Sequence, residues 1–201
     1  MTSIHATARP TGLALGLIVT VATAGCYHAT QLGDTWHDRQ TSSLEFHKTA
    51  ALFMSNDQAL RRNVEDRLAS RYPGAVPSYT VIASGTDLQD PGSLLAQLQQ
   101  NGFDGAIVMR VTDVQTNTNY GPGYADGYWG GWGSSWAYPY DPSYVTTDRV
   151  VSVETQIYAL TDNKLVFTAS SETTNPANAA KLTDSVMRHI MERLRKDGLV
   201  K

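Results

Sequence analysis

Cysteine is almost absent from this chain: there is one in 201 residues. A single thiol excludes an internal disulfide and any zinc or iron–sulfur site built on several cysteines. Charge is also sparse, at 17% of residues, with 16 Lys and Arg against 19 Asp and Glu and a net charge of -3. A polyelectrolyte tail is therefore excluded, and so is the clustered basic surface on which nucleic-acid affinity rests; no nucleic-acid partner is expected. The uncharged segment near the start, residues 11–25, covers only 15 positions, short of the ~20 a spanning helix requires. Catalytic signatures are missing as well. The sequence has no Gly-x-Ser-x-Gly elbow and no His-x-x-x-His or His-Glu-x-x-His spacing, and its glycine-rich stretch is not followed by Lys-Ser/Thr. A chain of this length can bury roughly 70% of its unfolded surface, so its core needs neither disulfide nor metal, and the expectation is one domain, no cofactor, no metal and no enzymatic activity.

The first 26 residues carry the sharpest signal. Residues 1–25 contain one full positive charge, Arg9, and no acid; Leu13, Leu15, Leu17, Ile18, Val19 and Val21 then lead into Thr23-Ala24-Gly25-Cys26. A weakly basic start, a short apolar segment and small residues make the pattern of a secretory signal. The only cysteine follows directly. Thr23-Ala24-Gly25-Cys26 resembles the lipobox of bacterial lipoproteins, with Thr where Leu is usual. The resemblance implies cleavage before Cys26, diacylation of its sulfur and acylation of the new amino terminus. Three acyl chains exceed the two membrane signals that stable anchoring needs. Loss of Arg9 leaves 15 basic against 19 acidic residues, a mature charge of -4. Tyr27 is not the Asp that retains such lipoproteins in the inner membrane, so outer-membrane attachment facing the periplasm is expected.

Residues 26–44 are polar without a sustained period and read as a flexible tether, with Trp36 as a first anchor onto the domain. The domain is expected over 45–201. Ala50-Ala51-Leu52-Phe53-Met54 is a run suited to a strand covered on both faces. Ser55-x-x-Gln58 offers a capping box to a helix striped by Leu60, Val64 and Leu68, with Arg61, Arg62, Glu65, Asp66 and Arg67 on its other faces. Tyr72-Pro73-Gly74 ends it, and residues 78–82 form a second strand. Asp90-Pro91 opens a helix carrying Leu94, Leu95 and Leu98; residues 103–114 form a third strand. Alternation over 150–160 and 164–174 about Thr161-Asp162-Asn163 predicts a hairpin. A last helix presents Leu182, Val186, Ile190 and Leu194. The order β-α-β-α-β-β-β-α makes a single α/β sandwich, a mixed sheet with helices packed on it.

Phe103-Asp-Gly-Ala-Ile-Val-Met-Arg-Val and the hairpin Val151-Ser-Val-Glu-Thr-Gln-Ile-Tyr-Ala-Leu-Thr-Asp-Asn-Lys-Leu-Val-Phe-Thr-Ala resemble segments of several envelope lipoproteins. Among these are the curli-secretion lipoprotein, the penicillin-binding-protein activators and the amino-terminal domain of the Tol translocation protein. The likeness spans about 46–198 in element order, with Asn163 in place of their Thr-Gly and Phe167 in place of a common Trp. It implies the fold and an envelope role, and it brings no catalytic residues.

Between the third and fourth strands, at about 118–146, lies an aromatic and glycine-rich insertion. Residues 120–144 hold six Tyr, three Trp, six Gly and three Pro, a composition that denies them a regular helix or central strand. Tyr124, Tyr128, Trp129, Trp132, Trp136, Tyr138 and Tyr140 make a candidate binding surface, since Trp and Tyr dominate contact hot spots and wet–apolar boundaries. The bland reading is a low-complexity loop that is disordered or folds onto its own domain; as a contact surface, an envelope protein partner is expected, and a glycan is the alternative. Among other polar residues, Asp104 and Asp113 flank the third strand and Asp141 and Asp148 flank the insertion, without a spacing that selects a catalytic pair, and Arg110 within an apolar strand calls for an exposed edge or an acid such as Glu154.

Overall fold

The computed structural model describes residues 29–82, 86–88, 90–120 and 145–201. Its elements are β1 (Ala29–His37), β2 (Thr49–Phe53), α1 (Gln58–Arg71), β3 (Ala75–Pro77), α2 (Pro91–Gln100), β4 (Gly105–Tyr120), β5 (Val145–Ala159), β6 (Lys164–Thr174) and α3 (Ala179–Lys196). The six strands form one mixed sheet in the order β1-β6-β5-β4-β2-β3. Parallel pairing joins β3, β2 and β4, and antiparallel pairing joins β4, β5, β6 and β1. The α/β sandwich is thus present, with one more strand at its start.

The crossovers place the layers. From β2 the chain steps to β3 on one side and from β3 back to β4 on the other. Two crossovers of one hand in opposite directions put their helices on opposite faces. Accordingly Ala51 and Phe53 of β2 join the core that holds α1 and α3, while Ala50 and Leu52 join the one that holds α2. The first core is the larger, with Phe167, Ile107, Ile157, Val186, Ile190 and Leu194 all fully buried. The four apolar positions expected on α3 all pack there, Leu182 partly buried, and Met187 and Met191 widen the stripe.

Several boundaries differ from the sequence reading. Residues 29–37 are not tether but an edge strand, β1, paired with β6 from Ala29↔Thr174 to His37↔Phe167. Its pairing is supplied by the free edge of β6, a tertiary partner that local composition does not encode. Trp36 does not anchor it, being 49% exposed. Residues 78–80 form a 3-10 turn, and the strand lies earlier, at Ala75–Pro77. The cap of α1 is Asp57, not Ser55: its Oδ1 accepts from Ala59 N at 2.9 Å and Leu60 N at 3.0 Å.

Arg61 and Glu65 are the largest departure, because both are buried. One turn apart on α1, they sit over the end of β2. The Glu65 carboxylate accepts from Arg61 Nε at 2.7 Å, Phe53 N at 3.1 Å, Ser78 Oγ at 2.9 Å and Tyr79 N at 2.8 Å. Arg61 Nη2 also donates to Ser78 Oγ at 3.0 Å. Four donors compensate the desolvated carboxylate and tie β2, α1 and the turn after β3 together.

Candidate functional site

One end of the sheet gathers the features of interest. β4 and β6 run towards it; β5 and β1 run away from it. Ala29 and Val150 both pair with Thr174, so the start of β1 lies level with Val150. Past that level β4 and β5 continue alone through five pairs, from Thr116↔Arg149 to Tyr120↔Val145. At ~3.4 Å per residue this two-stranded ribbon rises about 17 Å. The outer parts of the expected insertion, 118–120 and 145–146, are therefore strand. Asn175 braces the base: its N–H donates to Arg149 O at 2.7 Å, Arg149 N donates to its Oδ1 at 2.8 Å, and its Nδ2 donates to Asp148 Oδ1 at 2.8 Å. Asn175 adopts φ 51 to turn the chain from β6 towards α3, a region Asn tolerates better than most residues.

Tyr124, Tyr128, Trp129, Trp132, Trp136, Tyr138, Tyr140 and Cys26 lie outside the described residues. What the structure fixes is where their flanking strands end, and both Ala29 and the ribbon tip are at this end.

A groove of about 560 Å³ opens beside the start of β1, between α1 and the first turns of α3. Thr30 and Thr173 form its sheet-side wall, linked through their hydroxyls at 2.9 Å, and Pro176 forms its rim. Arg71, Lys181 and Arg188 project into it against a single acid, Asp184, which binds Arg71 Nε at 2.8 Å. The three cations come from two helices more than 100 positions apart in sequence, so no local motif announces them.

The other polar candidates contact neighbours within the fold. Asp104 accepts from His47 N and Lys48 N, both at 2.8 Å, and from the His47 ring at 3.0 Å. Burial works to raise its pKa, but the backbone donors of Lys48 and His47 outweigh it and hold the carboxyl below its ordinary value. Asp113, eight positions up β4 from Gly105, accepts from Val114 N and Gln115 Nε2 instead. Asp104 precedes β4 and Asp113 lies within it, each with its own donors; Asp141 lies outside the described residues. His189 Nδ1 contacts Ser185 O at 2.8 Å and His37 stands 3.6 Å from Asp197. Arg110 does meet Glu154, its cross-strand neighbour. That pair continues through Gln156 to the Tyr158 hydroxyl beside an apolar trough of about 350 Å³ under α2. Among the described residues no group of three His, Cys, Asp or Glu is placed to hold a metal ion, and no helix is long and apolar enough to cross a membrane.

These features define a mixed-sheet α/β sandwich with a ribbon and a basic groove at one end. No protein-family model matches the chain, and no curated protein matches it. Solved structures with a similar outline include the PelC dodecamer from Paraburkholderia phytofirmans, at 9% identity and a TM-score of 0.44 over 87% of this chain and 100% of that one. A single-substitution variant of that dodecamer matches at the same identity and TM-score over 83% of this chain and 98% of its own.

Proposed function

We propose that this chain is a lipid-anchored protein of the bacterial cell envelope, with a non-enzymatic role in interaction or assembly. Cys26 is its attachment site, the periplasmic face of the outer membrane its location, and the insertion bearing Trp129, Trp132 and Trp136 its contact surface. The observation that carries the reading is Thr23-Ala24-Gly25-Cys26, with the only cysteine placed directly after a short apolar segment. The geometry adds support. Strand β1 begins at Ala29, three residues after Cys26, so an acylated terminus would lead straight into the sheet. The engagement of Asp104, Asp184 and Glu65 in structural contacts fits a binding role better than a hydrolytic one.

The mass of the peptide beginning at residue 26 tests the anchor. Three acyl chains are expected, and Cys26→Ser should abolish both acylation and flotation with membranes. A Cys26→Ser chain that is still processed and membrane-bound would remove the lipoprotein reading. For the insertion, wild type and a Trp129→Ala/Trp132→Ala/Trp136→Ala variant of equal stability are crosslinked in intact envelopes. Loss of a reproducible partner in the variant is the expected result. Equal crosslinking by both removes the contact role, and selective loss of binding to isolated peptidoglycan would assign the surface to glycan instead.

A further inference from the structure

We infer that the groove between α1 and α3, beside the start of the edge strand β1, faces the bilayer and contacts anionic phospholipid headgroups through Arg71, Lys181 and Arg188. The inference rests on Cys26 being the lipid anchor. Chain length supplies the first argument. Three residues span at most ~3.6 Å each, so Ala29 would stand within roughly 11 Å of an anchor held at the headgroup boundary. Direction supplies the second: β1 runs away from that point towards His37, which leaves the start of β1 as the membrane-proximal end. Thr30, the second residue of β1, lines the groove itself. The groove wall at Thr30 therefore stands at most about 14 Å from where the headgroups would begin, within two Debye lengths of ~8 Å at physiological salt.

Charge supplies the third argument. The chain is acidic overall at -3, yet this groove sets three cations against one acid. Arg71 and Arg188 keep guanidinium N–H donors beyond those given to Asp184 and Ser185, and these suit phosphate oxygens. The exposed large apolar side chains among the described residues, Trp36, Val111 and Val114, do not line the groove, so the contact is electrostatic and screened by salt.

The lysines make the arrangement testable without a mutation. Lys181 is the only lysine at this end. Lys164 begins β6, Lys196 ends α3, Lys48 binds Asn101 O next to Asp104, and Lys201 pairs with Glu45; all four lie at the opposite end. The full acylated protein, purified from envelopes, is reconstituted into vesicles of phosphatidylethanolamine with phosphatidylglycerol, or of phosphatidylcholine alone. Lysine acetylation rates are then read by mass spectrometry. In phosphatidylglycerol vesicles Lys181 should label several-fold more slowly than in phosphatidylcholine. Lys196 and Lys201 should keep their rates, and molar salt, where the Debye length falls to about 3 Å, should restore Lys181. Equal Lys181 labelling in both vesicles overturns the inference while the anchor stands. Protection by inorganic phosphate added to phosphatidylcholine vesicles would assign the groove to a soluble anion and overturn the bilayer contact. A residue-26 peptide without acyl mass overturns the anchor, and this orientation with it.

Discussion

Replacing Glu65 with Ala should be among the most damaging single changes available to this fold. The carboxylate is fully buried and accepts four hydrogen bonds, two from backbone N–H groups, one from a serine hydroxyl and one from the buried Arg61. Truncation leaves a guanidinium in the interior without its counter-charge. It also strands Phe53 N and Tyr79 N, whereas Ser78 Oγ can still accept from Arg61 at 3.0 Å. Breaking a buried ion pair from one side costs ~3–5 kcal/mol, and orphaned backbone donors at ~1–3 kcal/mol each place the loss at the upper part of that range. Against a total of ~5–15 kcal/mol, Glu65→Ala removes a large fraction of stability. At ~2–4 °C per kcal/mol for a chain this size, the melting temperature should fall by roughly 6–20 °C. Urea unfolding followed by far-ultraviolet circular dichroism measures it. Arg61→Met/Glu65→Leu removes both charges and should cost less than Glu65→Ala alone, because no ion is left buried. A Glu65→Ala loss below about 1 kcal/mol, or a double variant worse than the single, would refute the argument that the buried charge dominates.

Thr155 is fully buried in the main core, and its hydroxyl has no hydrogen-bond partner among the described residues. Thr155→Val should therefore raise the unfolding free energy read from urea melts by up to about 1 kcal/mol; a clear loss would mean the hydroxyl is satisfied. Asp104 has its pKa lowered by folding, so its contribution is present above the unfolded carboxylate value of ~3.9 and disappears as pH falls through the lower folded value. The gap in unfolding midpoint between wild type and Asp104→Asn should be widest near neutrality and close in acid, and a constant gap from neutral to acid would contradict this. Tyr72, whose phenol is pushed up to about 12 by burial, should remain un-ionised in a spectrophotometric titration until the fold opens. A normal phenolate transition in the native state would place it at the surface.

Elements whose stabilising partners lie within their own segment were legible in the chain. The stripe of α3 repeats every turn, the Asp90-Pro91 start of α2 is a local cap, and the β5–β6 hairpin alternates with turn residues at its tip. Arg110 and Glu154 could be matched because a charge within an apolar strand is favoured opposite an acid on the neighbouring strand. What escaped was decided by distant segments. β1 has no strong alternation of its own and exists because β6 offers a free edge 143 positions away at Thr30 and Thr173. Arg61 and Glu65 look like solvated helix charges until the turn at Ser78 and Tyr79 folds over them.

The same division runs through function. The sequence alone determines that one thiol stands after a short apolar leader, that nine of the aromatics crowd into residues 120–144, and that no recognised catalytic spacing is present. These are properties of neighbours along the chain, and local order is enough to read them. Only the tertiary structure decides that the start of β1 and the base of the aromatic segment share one end of the sheet, and that Arg71, Lys181 and Arg188 meet there in one groove. Strand direction and helix crossing set those positions. They depend on which edges pair across more than 100 residues, a choice made by the burial of the whole core and by no single stretch of sequence.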